Sequence, residues 1–133
     1  MSPRRRLSVV AGISLLYDLS AGVVLLAATD RMASWFGVPV PDPILFAKLN
    51  GLFLIAVGLG YLAPLRDPFT HRGYLWVFGV FLKGAGAALF VSDHFANGSP
   101  ASFLVFGASD GLLAAVTLAA LAAARPTDNA PAR

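Results

Sequence analysis

Four stretches of the chain are apolar almost without interruption, and short segments rich in Pro, Asp and Arg separate them. They run over residues 7–29, 44–65, 74–92 and 102–124. Each is close to the roughly 20 residues that a helix needs to cross a hydrocarbon core. None shows the polar–apolar alternation of a strand packed on one face. The pattern predicts an all-α fold, an integral membrane four-helix bundle forming one domain over residues 7–124.

The segments outside these spans set the ends. Residues 1–6, MSPRRR, read as a basic head. The first stretch is too long for the apolar core of a signal peptide, and Asp18 interrupts it. Residues 30–43 form a first loop in which Trp35 and Phe36, beside Met32, are expected to lie in the headgroup layer. Pro39, Pro41 and Pro43 then forbid a helix, and Pro64 is expected to close the second span. A third loop follows Ser92, and residues 125–133 read as a disordered Pro- and Ala-rich tail.

Composition agrees with this division. Of 133 residues, 57% are hydrophobic and 13% charged, with a mean hydropathy of +0.72. A soluble domain carries about 25% charged residues. The net charge of +3 does not form a phosphate-binding patch, because the cations sit mostly at span ends, so nucleic acid is not an expected partner. Outside the spans, three Lys or Arg lie in the head, two in the second loop and two in the tail, against Arg31 alone in the first loop. That seven-to-one split, with an even number of spans, places both termini in the cytoplasm of a multi-pass cell-membrane protein. There is no Cys, hence no disulfide and no thiolate metal site.

The two halves also match one another. Leu19, Leu26, Thr29 and Asp30 align with Leu82, Leu89, Ser92 and Asp93, while Phe46, Asn50, Gly51 and Leu52 align with Phe106, Asp110, Gly111 and Leu112. This is the expectation for a 2+2 parallel internal repeat, which makes Asn50 and Asp110 equivalent.

Every span carries a polar residue near its centre: Asp18, Asn50, Lys83 and Asp110. Helical spacing puts Asp18 on a stripe with Ala11, Ser14, Ala21 and Gly22. Asn50 falls with Ala47, Leu54, Val57, Gly58 and Tyr61; Lys83 with Gly79, Gly86, Ala87 and Phe90; and Asp110 with Phe103, Phe106, Gly107, Ala114 and Thr117. Small residues let helix backbones approach in lipid, so these stripes are the expected packing faces. A charge at the membrane centre costs about 3 kcal/mol on the insertion scale, so the charges must meet. Lys83 is expected to bridge Asp18, Asp110 or both, with Asn50 donating a hydrogen bond. Two acids and one base leave −1 when all are ionised, so a neutral cluster needs one proton. Such a cluster fixes helix register in one reading and marks a ligand or proton site in the other. Tyr17 is placed to stack on a ring-shaped ligand. Lys48 lies on the other side of its helix from Asn50 and is expected to snorkel.

No other chemistry stands out. His71 and His94 fall in loops on opposite faces, so no metal site is expected. Ser109 and Asp110 have no His in their span, so no catalytic residue is assigned.

The stretches FAKLNGLFLIAVGLG in span two and FLVFGASDGLLAAVTL in span four, with an Asp in span one, resemble the DoxX-like small bacterial membrane proteins. The resemblance implies a four-helix bundle of the inner membrane, with members linked to quinone-associated redox systems. It carries over no catalytic residue. Three functions follow. The first is an accessory or scaffold subunit packing on a membrane-protein partner or as a homo-oligomer. The second is a bundle that binds a quinone- or lipid-like molecule at Asp18, Asn50, Lys83 and Asp110. The third is a proton-coupled carrier formed by an oligomer. An enzyme is the least supported, and no cofactor other than a quinone is implied.

Overall fold

The computed structural model describes residues 1–124, and the proposed tail at 125–133 lies outside them. Four helices are long and apolar enough to cross a membrane: Pro3–Ala27, Leu45–Arg66, Arg72–Asn97 and Ala101–Ala123. The protein is an all-α, multi-pass membrane bundle, and its described residues contain no strand. We name the helices α1 (Pro3–Ala27), α2 (Thr29–Phe36), α3 (Leu45–Gly60), α4 (Leu62–Arg66), α5 (Arg72–Asn97) and α6 (Leu104–Ala123). Large apolar side chains cover the outside, among them Leu16, Phe81, Leu89 and Leu112. That surface is unfavourable in water and suited to acyl chains.

Several boundaries differ from the sequence expectation. The basic head is helical: Pro3 occupies the first turn, where its missing N–H is harmless, and Ser2 caps it by accepting from the Arg5 amide at 3.3 Å. Pro64 does not end span two. It cannot donate to the Gly60 carbonyl one turn back, so the helix breaks at Tyr61 and runs one more turn as α4. Span three continues through Asp93 and His94 to Asn97, and Gly98 ends it with a φ of 72°. The expected third loop is therefore only a few residues long. Gly37, at a φ of 66°, ends α2 in the same left-handed conformation.

Span one packs on span two, and span three on span four, so each half is a hairpin. The α1–α3 crossing is a backbone contact. A Cβ on Gly22 would lie 2.7 Å from the Gly51 carbonyl oxygen, and one on Gly58 would meet Leu19 at 2.9 Å. Gly79 is as tightly placed, since a Cβ there would lie 2.9 Å from the Thr117 side chain, while one on Gly107 would make only ordinary contact with Phe90. Span two rests on span one and scarcely touches spans three and four along most of its length.

The start of α1, loop two and the end of α6 share one end of the bundle, where the core is dense. Leu7, Val10, Val57, Tyr61, Leu75 and Leu121 pack together there. The Tyr74 hydroxyl donates to the Val57 carbonyl at 2.5 Å, and its ring stands edge-on to Tyr61. Thr70 donates to Asp67 at 2.6 Å in loop two, which holds that exposed carboxyl below the usual carboxylate range. Arg72 donates to the carbonyls of Leu121 and Ala124, the unpaired end of α6. Arg72→Gln is expected to fray this end, so amide exchange should speed up over residues 117–124 and stay unchanged in α1. Uniform exchange in both segments would show that the guanidinium does not hold the helix end.

Candidate functional site

The opposite half of the bundle is open inside. A cavity of about 390 Å³ lies between span two and spans three and four. Its closed end is the charged centre. The Lys83 ammonium donates to Asp18 Oδ1 at 2.6 Å and to Asp110 Oδ1 at 3.3 Å. Lys83 and Asp18 are buried to 4% and 3% side-chain exposure, while Asp110 keeps 18%. Lys83 thus bridges both acids, one tightly and one more loosely.

The local sequence explains how three helices deliver these groups. On α1, Leu7, Ala11, Ser14 and Asp18 are buried at helical spacing, so the Asp points inward with the apolar face. On α5, Leu75, Gly79 and Lys83 are buried at every fourth position, and Gly79 lets α6 come close. The turns Leu75–Leu82 are π-helical and end immediately before Lys83. Widened turns of this kind gather at functional sites, and the apolar run LWVFGVFL gives no sign of one. On α6, Gly107, Ala114 and Thr117 face inward around Asp110.

Tyr17 sits beside the cation. The Lys83 Nζ stands 4.6 Å from its ring centroid, and its hydroxyl meets Ser109 Oγ at 2.7 Å. The Ser109 hydroxyl also approaches the Val105 carbonyl at 2.8 Å, so the Tyr17 hydroxyl is the natural donor to Ser109. Ser109 has no His in its span for nucleophilic chemistry, and its sequence gives no sign of this contact. Its role here is to anchor Tyr17.

Asn50 is where the expected cluster departs from the structure. It lines the cavity, but it is exposed and makes no hydrogen bond to Lys83, Asp18 or Asp110. Gly51, not Asn50, faces α1, because two glycines meeting backbone to backbone give the closest approach. Successive helical residues are about 100° apart, so Asn50 moves to the rim. Asn50 and Asp110, aligned in the proposed repeat, therefore play different parts. Lys48 is exposed, as its register requires.

The cavity walls are apolar and its far end is aromatic. Phe36 stacks on Phe106 at 4.8 Å, and Phe90 on Phe106 at 5.6 Å. Phe36 comes from α2, which the sequence placed in the headgroup layer. Trp35, 70% exposed, turns outward with Arg31 and Ser34; Met32, Ala33 and Phe36 line the cavity. The Ser102 hydroxyl ties α2 down by donating to the Phe36 carbonyl at 2.7 Å. The amphipathic spacing of Met32, Ala33 and Phe36 is the signal that could have shown a cover. Asn50, Phe53 and Pro41 form an exposed rim.

Among the described residues, three buried polar atoms have no hydrogen-bond partner: Ser14 Oγ, Asp18 Oδ2 and Tyr61 Oη. No group of three or more His, Cys, Asp or Glu comes together among the described residues. His71 lies in loop two, while His94, in the last turn of α5, contacts the Ser99 carbonyl at the other end. Comparison with protein-family models, curated proteins and solved structures gives no match.

Proposed function

We propose that this protein binds a small amphipathic molecule, of lipid-like or quinone-like size, within the bundle in the membrane. One observation carries the reading: an apolar cavity of about 390 Å³ ends on a lysine held by two carboxylates. That volume is within the range of small-molecule sites, about 300–1,000 Å³, and the combination of apolar walls with a few polar groups is their usual make-up. With both termini cytoplasmic, as the cation count proposes, the cavity opens in the outer half of the cell membrane. Its rim at Asn50 and Phe53 then admits a ligand from the acyl chains.

The competing readings have less geometric support. Glycine-lined faces favour an accessory subunit, yet Gly22, Gly51, Gly58, Gly79 and Gly107 contact neighbouring helices inside the bundle. A carrier needs a way through, and the cavity ends above a dense core of Leu7, Tyr61, Leu75 and Leu121. The DoxX-like resemblance remains a proposal about ancestry, resting on the two quoted stretches.

The protein purified from membranes is expected to carry about one small amphipathic molecule per chain, identified by extraction and mass spectrometry. Gly86→Leu should remove it without unfolding the bundle. A Cβ there makes only an ordinary contact, 3.7 Å from Asp110 Oδ2, and the larger side chain fills the cavity. Equal amounts from both proteins, or nothing from either, would contradict a binding role.

A further inference from the structure

We infer that the molecule this cavity takes is a lipophilic cation: an ammonium or comparable positive centre on an apolar or aromatic body. The inference rests on the binding-site reading above and adds the sign of the ligand's charge. It comes from asking which hydrogen-bonding positions in the cavity are still free.

The Lys83 ammonium has three N–H donors. Two go to Asp18 and Asp110, and the face of Tyr17 lies against the cation at 4.6 Å. One N–H of Lys83 and the Asn50 amide at the rim remain as donors. The charged position most open to the cavity is an acceptor. Asp18 Oδ2 has no partner, but it is buried out of reach of a ligand. Asp110 Oδ2 accepts no hydrogen bond from a described residue, and Asp110 is the member of the cluster most open to the cavity.

Charge points the same way. Lys83 contributes +1 and the two carboxylates −2 when both are ionised, so the cluster then sums to −1, and one proton would also neutralise it. A monovalent cation brings that sum to zero, whereas an anion would take it to −2 at a depth where unbalanced charge is costly. The far end suits the apolar or aromatic body of such a cation, because Phe36, Phe90 and Phe106 stack there. A neutral acceptor such as a quinone finds apolar walls here but leaves the charge of the cluster unbalanced.

The test is a titration of the purified full chain in detergent micelles with three probes, counting bound ligand by equilibrium dialysis. Tetraphenylphosphonium and tetraphenylborate have nearly the same shape and opposite charge, and decylubiquinone is a neutral acceptor. We expect the phosphonium to bind at about one per chain and at least tenfold more tightly than the other two. Asp110→Asn leaves the Lys83–Asp18 pair in place, so the bundle should fold and lose at least tenfold in phosphonium affinity. Gly86→Leu, which changes no charge, should lose phosphonium binding as well.

Tight decylubiquinone binding with none of the phosphonium would overturn the cation and leave the binding site standing. Binding of none of the three would remove both. Phosphonium binding unchanged in Asp110→Asn or in Gly86→Leu would place the cation elsewhere and overturn the assignment. Repeating the titration in nanodiscs with and without phosphatidylethanolamine separates two sources of the same chemistry. Competition by that lipid assigns the cation to a headgroup ammonium, and its absence to a free amphiphile; both keep the cation.

Discussion

Lys83→Met is expected to lower stability by about 3–5 kcal/mol, the usual cost of breaking a buried ion pair from one side. The reason is what it leaves behind. Asp18, at 3% side-chain exposure, loses its closest partner, and Asp110 loses its cation. Removing all three charges together, as Lys83→Met with Asp18→Leu and Asp110→Leu, should restore stability to near the parent value or above it, since no unpaired charge remains. The two acids should not be equivalent. Asp18→Leu breaks the 2.6 Å contact and should cost more than Asp110→Leu, which breaks the 3.3 Å contact at a partly open position. Lys48→Met, at an exposed site, should change stability by less than about 0.5 kcal/mol. Reversible unfolding in mixed micelles, followed by tryptophan fluorescence, measures the whole series. A Lys83→Met protein as stable as its parent would mean that the cation holds nothing together.

Gly22→Leu should separate the first hairpin. The clash is at Cβ itself, 2.7 Å from the Gly51 carbonyl oxygen and 2.9 Å from Ile55, so no change of rotamer relieves it. Overpacking of this kind costs about 1–3 kcal/mol where neighbours can shift, and a backbone carbonyl in a helix shifts little. The loss should therefore fall at or above the top of that range. Gly84→Ala and Gly111→Ala provide the contrast, since their new methyl groups would meet Ala114 and Ala87 at 3.8 and 3.5 Å, ordinary contacts. Both should unfold like the parent. If Gly22→Leu matched them, the close approach of α1 and α3 would not be a feature of the folded protein.

The bundle was legible in the sequence because span length and hydropathy are properties of single helices, and lipid imposes them on each one separately. The meeting of Lys83 with Asp18 and Asp110 was legible for a related reason: each residue lay at mid-depth on a stripe of small neighbours, and unpaired charge is costly in lipid. Asn50 was misplaced by one helical position. Asn50 and Gly51 are neighbours in sequence, and which of them faces α1 depends on Gly22 across the interface, a fact no single span contains. The break at Tyr61 follows from Pro64, but its place one turn upstream depends on the carbonyl left without a donor. The cavity itself was not legible. It exists because glycines draw span two onto span one while the aromatic side chains of α2, α5 and α6 fill the far end, and so it belongs to the assembly rather than to any stretch of chain.

The central claim is that the amine on α5 and the carboxylate on α1 hold each other inside the membrane. A double-mutant cycle joining Lys83→Met and Asp18→Leu measures that directly in the same unfolding assay. The account predicts a coupling energy above about 1 kcal/mol, within the span seen for residues in one buried network. Effects that add to within about 0.5 kcal/mol, as they do for distant sites, would contradict it.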